Sequence, residues 1–195
     1  MAKKTGEKYQ AIIDAAVSVI AKYGYHNAQV SRIAKEAKVA DGTIYLYFEN
    51  KDDILISLFN EKMGHFIETC RQRIAAADSI EQKLHVLVHA HLSQLAQNPE
   101  LAKVTQIELR QSNPEISKGI GQVMKHYYHL IDDVIRVGIE QGAFRPELDV
   151  RMARMMIFGT LDEAVTAWVM KQNKYDLVSL VDPIHNLFLY GMMRK

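Results

Sequence analysis

Gln29-Val30-Ser31-Arg32-Ile33-Ala34-Lys35-Glu36-Ala37-Lys38-Val39-Ala40-Asp41-Gly42-Thr43-Ile44-Tyr45-Leu46-Tyr47-Phe48 is the stretch on which the reading of this chain turns. Val30, Ile33, Ala34 and Ala37 recur at helical spacing, so a short helix can bury one stripe of small apolar side chains. Lys38-Val39-Ala40 breaks the rhythm, and a second short helix is expected to open near Asp41-Gly42. Two short helices joined by a turn of about three or four residues make a helix-turn-helix, whose second helix can enter a DNA major groove. Thr43, Tyr45 and Tyr47 bring hydroxyls and rings to that second helix, and Lys51 follows at the start of the next. Such groups reach phosphates and base edges. The segment predicts binding to duplex DNA.

Outward from this stretch the pattern stays helical. Four prolines and ten glycines punctuate the chain, and alternation of β-branched residues is almost absent, so the fold is expected to be all-α. A first helix is expected from Gly6 to Tyr23, with Tyr9, Ile13, Ala16, Val17 and Ile20 on one face and Gly24 as its stop. Asn50 reads as the N-cap of a long fourth helix through Arg73. Further helices are expected over Ser79–Gln97, Pro99–Gln111, Pro114–Gly142, Asp149–Lys171 and Asp176–Met193, nine in all. Two parts follow: residues 1–50 as a helix-turn-helix head, and residues 51–195 as a larger helical body for effector binding and dimerisation.

Composition is that of an ordinary globular protein, 48% hydrophobic and 24% charged with a net charge of +1. The first 51 residues carry eight basic and five acidic side chains, a balance of +3 that leaves −2 for the rest, as suits a DNA-binding head on a more acidic body. Cys70 is the single cysteine, so an intrachain disulfide is excluded and a reducing cytoplasm is expected. The N-terminal residues lack a secretory signal pattern, and no run reaches the roughly 18 apolar residues of a membrane span.

Gly24-Tyr25, Ile33-Ala34, Val39 and Gly42-Thr43-Ile44-Tyr45-Leu46-Tyr47-Phe48 followed by Lys51 resemble the N-terminal domain of the TetR family of repressors. The resemblance implies a homodimer whose third helix reads the major groove and whose fourth helix begins at phosphate. Carried over residue by residue, it places Thr43, Tyr45 and Tyr47 on backbone or base edges and Lys51 on phosphate, with Gly42 admitting close approach and Ile44 and Phe48 turned to the core. Gln29 stands, after Ala28, where the family often has Thr-Ser. Lys38 occupies a turn position where glycine is frequent, which implies mild strain or an extra phosphate-facing cation. Asp41 sits where a basic or neutral residue is common; it is favoured at a helix N-terminus and repelled by phosphate.

Farther along, Gln106-Ile107-Glu108-Leu109-Arg110-Gln111-Ser112-Asn113 and Ile157-Phe158-Gly159-Thr160-Leu161-Asp162-Glu163 resemble the FadR-type fatty-acid-responsive repressors of bacilli. That group implies long-chain acyl-CoA as effector and fatty-acid degradation genes as targets. An acyl chain needs a long apolar tunnel. Phe66, Leu92, Leu95, Val104, Ile107, Tyr127, Met155 and Phe158 are expected to line it, with Met63, Ile67 and Leu130 beside them. Each of these side chains could equally be ordinary helical core. For the CoA phosphates the pool of cations is Arg110, Arg136, Arg145, Arg151 and Arg154, with Arg110 first because it follows an apolar stripe. Gly159, Trp168, Leu187, Phe188 and Tyr190 are expected at a dimeric four-helix interface.

Other chemistry finds less support. His85 and His89 lie at i, i+4 and His126 and His129 at i, i+3, without the carboxylates or cysteines that complete a metal site. Asp132-Asp133 and Asp162-Glu163 are adjacent pairs that diverge on a helix, and no nucleophile elbow or phosphate loop appears, so neither an enzyme nor a cofactor is expected. Two other readings are a repressor of the same fold sensing a drug or another lipid, and a helical acyl-CoA-binding protein with a vestigial head. Tyr45, Tyr47 and Lys51 speak against the second.

Overall fold

The computed structural model describes residues 5–194, and all regular elements among them are helical. They are α1 (Glu7–Tyr23), α2 (Val30–Glu36), α3 (Asp41–Ile44), α4 (Lys51–Ala75), α5 (Ile80–Gln97), α6 (Pro99–Glu108), α7 (Pro114–Glu140), α8 (Val150–Met170) and α9 (Val181–Met192), with a 3-10 turn at Leu177–Leu180.

Local chemistry sets these limits. Gly24, at φ 74°, ends α1 in a conformation that disfavours a Cβ. Asn50 Oδ1 accepts the Asp53 N–H at 2.9 Å and opens α4; Ser79 and Asp149 cap α5 and α8 in the same way. α6 stops at Glu108, short of the expected Gln111. Pro114 keeps Asn113 out of helical geometry, and Asn113 Oδ1 instead accepts the Glu115 N–H at 2.9 Å as the cap of α7. The last helix is also shorter than its periodicity suggests. Pro183 is tolerated only in the first turn of an α-helix, so α9 begins at Val181 and the preceding apolar residues form the 3-10 turn.

Two compact units emerge. One holds the described residues up to Gly64 together with Glu100–Val123; the other holds His65–Pro99 and the described residues from Met124 on. In the first, α2 packs on α1 and α3, and Ile12, Ile13, Ile33, Ile44, Phe48, Leu55 and Leu58 form its core. Gly119 of α7 lies against α4: a Cβ there would stand 2.7 Å from the end of Ile56. In the second unit α5 packs on α8, α9 and the 3-10 turn, around Leu84, Leu87, Ile157, Leu161 and Val165. Continuous α4 and α7 each contribute to both units.

Candidate functional site

The helix-turn-helix forms as its spacing predicts. α2 ends in a Schellman turn: the Val39 N–H reaches the Ala34 carbonyl at 3.0 Å and the Lys38 N–H the Lys35 carbonyl at 3.2 Å. This holds Lys38 at φ 56°, left-handed without being glycine, with its side chain exposed. α3 is a single turn. Ile44 and Phe48 are fully buried beneath it, while Asp41, Gly42 and Tyr45 are exposed and Thr43 is half-buried. Gly42 has no neighbour within 4 Å of a would-be Cβ, so the surface there is open.

Three placements refine the sequence reading. Tyr47 is half-buried, its ring packed 6.3 Å from that of Tyr9 and 6.4 Å from that of Phe48, so it is less open to DNA than exposed Tyr45. Lys51 is not a bare cation. Its ammonium donates to the carbonyls of Tyr25 at 3.0 Å and His26 at 3.1 Å and lies over the Tyr25 ring. Two of its three protons therefore fasten the α1–α2 loop, and one remains for phosphate. Gln29 is exposed and accepts from Arg32 Nε at 3.4 Å. Leu46 was missed by the sequence reading. It is 67% exposed on the same surface, where an aliphatic side chain can meet a thymine methyl. Its position between two tyrosines that flank buried Ile44 and Phe48 was the available signal.

Behind this surface the head is tied to the end of α6. The Glu108 carboxylate, 3% exposed, accepts the Tyr25 N–H at 3.4 Å and the Gln111 side-chain amide. The Tyr25 hydroxyl donates to Asp52, which also accepts from Asn113 at 3.4 Å. Burial, then the bond to Asp52, pushes the Tyr25 hydroxyl pKa far up, so it stays a donor. Arg110 borders a hollow of about 330 Å³ beside Tyr25, His26 and Asn27, and its Nη1 donates to the Gln106 carbonyl at 2.6 Å. Arg110 therefore stands in the same unit as the helix-turn-helix.

In the second unit the rings of Phe66, Tyr127 and Phe158 come together. Tyr127 lies edge-on to Phe66 at 5.4 Å and to Phe158 at 6.2 Å. Two further rings join: Tyr128 against Phe158 at 5.1 Å, and His91 against Tyr127 at 5.7 Å. His91 Nδ1 and the Tyr127 hydroxyl lie 2.7 Å apart, while Nε2 is buried without a hydrogen-bond partner among the described residues. Burial holds the His91 pKa down at about 4, so the ring is neutral. Leu92 and Leu95 are buried on α5 and Val104 on α6.

Ile107 and Met155 depart from expectation. Each is 55% exposed and neither can line a closed tunnel; helical phase turns them to the surface. Four of the five candidate arginines are held within the protein: Arg110 by the Gln106 carbonyl at 2.6 Å, Arg154 by Asp132 at 2.6 Å, Arg136 by Asp133 at 3.8 Å, and Arg145 by the Gly191 carbonyl at 2.8 Å.

Met155 belongs with Met152, Met156 and Gly159 on an outward stripe of α8, and Leu187 and Tyr190, 70% and 73% exposed, form a stripe on α9. Trp168 and Phe188 do not join them. Both are buried within the protomer, and Trp168 Nε1 donates to the Tyr175 carbonyl at 2.8 Å, so their rings serve this unit's own core. Among the described residues no helix is long and apolar enough to cross a membrane, and no group of three or more His, Cys, Asp or Glu could hold a metal ion.

Comparison with known proteins agrees with this geometry. Residues 12–58 match the profile of bacterial regulatory proteins, tetR family, and residues 59–191 that of the YsiA-like protein, C-terminal region. Over 193 residues the chain is 52% identical to the fatty acid metabolism regulator protein of Bacillus subtilis, covering 99% of this chain and 100% of that one. Its structure is similar to that of the fatty acid degradation regulator FadR from Bacillus halodurans, with a TM-score of 0.92 and 59% identity over 94% of this chain and 99% of that one. FadR from Bacillus subtilis, crystallised in complex with stearoyl-CoA, superposes with a TM-score of 0.91 and 53% identity over the same shares of the two chains.

Proposed function

Because the chain belongs to the TetR family of bacterial regulators, we propose that it is a homodimeric transcriptional repressor of fatty-acid degradation genes, released from its operator by long-chain acyl-CoA. The observation that carries this reading is the 53% identity to a regulator crystallised with stearoyl-CoA. The aromatic cluster of buried Phe66 and Tyr127 with half-buried Phe158 supports it, offering apolar surface of the kind that an acyl chain requires.

In this reading residues 1–50 supply DNA binding and residues 51–195 effector binding and dimerisation. Thr43, Tyr45, Leu46 and the Tyr47 hydroxyl read one half-site while Lys38 and Lys51 hold phosphates. The exposed stripes of α8 and α9 pair across a two-fold axis, so the operator is a near-palindrome with half-sites about 34–36 Å apart. The protein acts in the cytoplasm and catalyses no reaction. Release requires acyl-CoA to bind the DNA-incompetent state more tightly than the competent one. Operator DNA must then weaken acyl-CoA binding by the factor that acyl-CoA weakens operator binding.

The test is a titration of operator binding against acyl-CoAs of graded chain length. Long chains should dissociate the complex and short ones should not. Saturating acyl-CoAs that leave the complex intact, while an unrelated amphipath dissociates it, would overturn the reading.

A further inference from the structure

α3 turns one side to the protein and the other outward. Ile44 and Phe48 are fully buried beneath it. The Phe48 N–H reaches the Ile44 carbonyl at 3.0 Å and Tyr45 holds φ −73° and ψ −6°, so the helical phase carries on past the last residue of α3. Asp41 and Tyr45 therefore share one line of the outer side at i, i+4, and Gly42 and Leu46 share the next. All four are exposed, and nothing stands within 4 Å of a would-be Cβ at Gly42.

Asp41 is the odd member of this surface. Between positions 41 and 46 it is the one charged side chain. Its carboxylate makes no hydrogen bond or ion pair among the described residues. Neither Lys38 before α3 nor Lys51 after it neutralises the charge, and Lys51 is occupied by the Tyr25 and His26 carbonyls. A carboxylate brought close to DNA is repelled by every phosphate. On a reading face it weakens binding to all sequences unless a base offers it a proton.

Base edges in the major groove offer few such protons. Guanine N7 and O6, adenine N7 and thymine O4 are acceptors; the donors are the N4 amine of cytosine and the N6 amine of adenine. A carboxylate only accepts. The adenine amine lies between adenine N7 and thymine O4, so a carboxylate there meets an acceptor on either side. The cytosine amine has guanine O6 on one side and no acceptor on the other. We propose that Asp41 sets the operator's sequence rather than its affinity: its carboxylate accepts from the N4 amine of one cytosine in each half-site. At other base pairs it is repelled, so it rejects wrong sites as well as marking right ones. The assignment rests on the chain being a dimeric repressor that reads DNA through α3.

Wild type, Asp41→Ala and Asp41→Asn are each taken through selection from randomised duplex DNA. Affinities for the selected duplex, its single base-pair substitutions and a scrambled duplex are then read by fluorescence anisotropy. Asp41 is exposed and without a partner, so both variants should fold as wild type does, which circular dichroism checks. Wild type should prefer C·G at one position of each half-site by about fivefold or more. Asp41→Ala should lose that preference alone and bind the scrambled duplex more tightly, because a repelled charge is gone. Asp41→Asn should move the preference to A·T, since an amide side chain pairs with both the N6 amine and N7 of adenine. Tighter binding of the scrambled duplex by Asp41→Ala with every base preference intact would show a solvated bystander and overturn the proposal. So would a preference lost at a base pair other than C·G. A wild-type protein that cannot distinguish its selected duplex from the scrambled one overturns the repressor reading itself.

Discussion

Replacing Lys38 with glycine should separate stability from DNA binding, because one residue serves both and serves them in opposite senses. At φ 56° its Cβ crowds the backbone, a strain of about 1–2 kcal/mol for a residue other than glycine. Glycine removes that strain but widens the unfolded ensemble, which takes back about 0.4–1 kcal/mol. The net is a gain of about 0.5–1 kcal/mol, or about 1–4 °C in melting temperature for a chain of this size. The Schellman bonds of Val39 and Lys38 are backbone bonds and survive the change. Operator binding should move the other way. One cation is lost from each half-site, so a dimer should lose about two units from the slope of log affinity against log salt. Calorimetric melting and operator titration at several salt concentrations read the two effects independently. Lys38→Asn is the control, since asparagine tolerates the left-handed region and also lacks the charge: the same slope change with a smaller thermal gain. An unchanged or lower melting temperature for Lys38→Gly would refute the strain argument, and an unchanged slope would refute the phosphate role.

Lys51→Ala should weaken operator binding, lower the salt slope and also destabilise the fold by about 1 kcal/mol, since two hydrogen bonds to the α1–α2 loop are lost; unchanged urea unfolding would show that those bonds contribute nothing. Leu187→Glu with Tyr190→Glu should yield folded monomers with poor operator affinity, whereas Trp168→Glu should unfold the protomer itself; light scattering and circular dichroism distinguish them, and a folded, monomeric Trp168→Glu protein would contradict its burial. His91 is neutral when folded, with a pKa of about 4 against about 6.5 unfolded, so the unfolded state binds the extra proton between these values. Its stabilising contribution is full above about pH 6.5 and is lost as pH falls toward 4, by an amount on the order of 3 kcal/mol. His91→Phe should flatten that part of the pH–stability curve, and an unaltered curve would place the proton elsewhere.

The head was legible in the sequence because its helices are bounded by local chemistry. Small residues at helical spacing, a turn at Lys38 and the Asn50 cap all act within a few residues of the positions they decide. What escaped was set by partners distant in the chain. Lys51 looked like a bare phosphate cation because the carbonyls it holds are 25 and 26 residues away. Trp168 looked like an interface residue because the Tyr175 carbonyl that occupies its indole lies beyond the end of α8. Ile107 and Met155 were misread because an apolar residue carries no mark of the face its helix turns outward.

Glu108 has a consequence for synthesis. The unit that carries the DNA-reading helices is interrupted in the chain: its first part ends at Gly64 and its second begins at Glu100. A ribosome that has made α1 to α3 has made a surface whose Tyr25 amide still lacks the Glu108 carboxylate, and whose Ser18 hydroxyl lacks Glu100, its partner at 2.6 Å. At about 5–20 residues per second the missing segment follows several seconds later. Until then the first part of the unit is held without these two long-range bonds, and a head transplanted without α6 would lack them permanently.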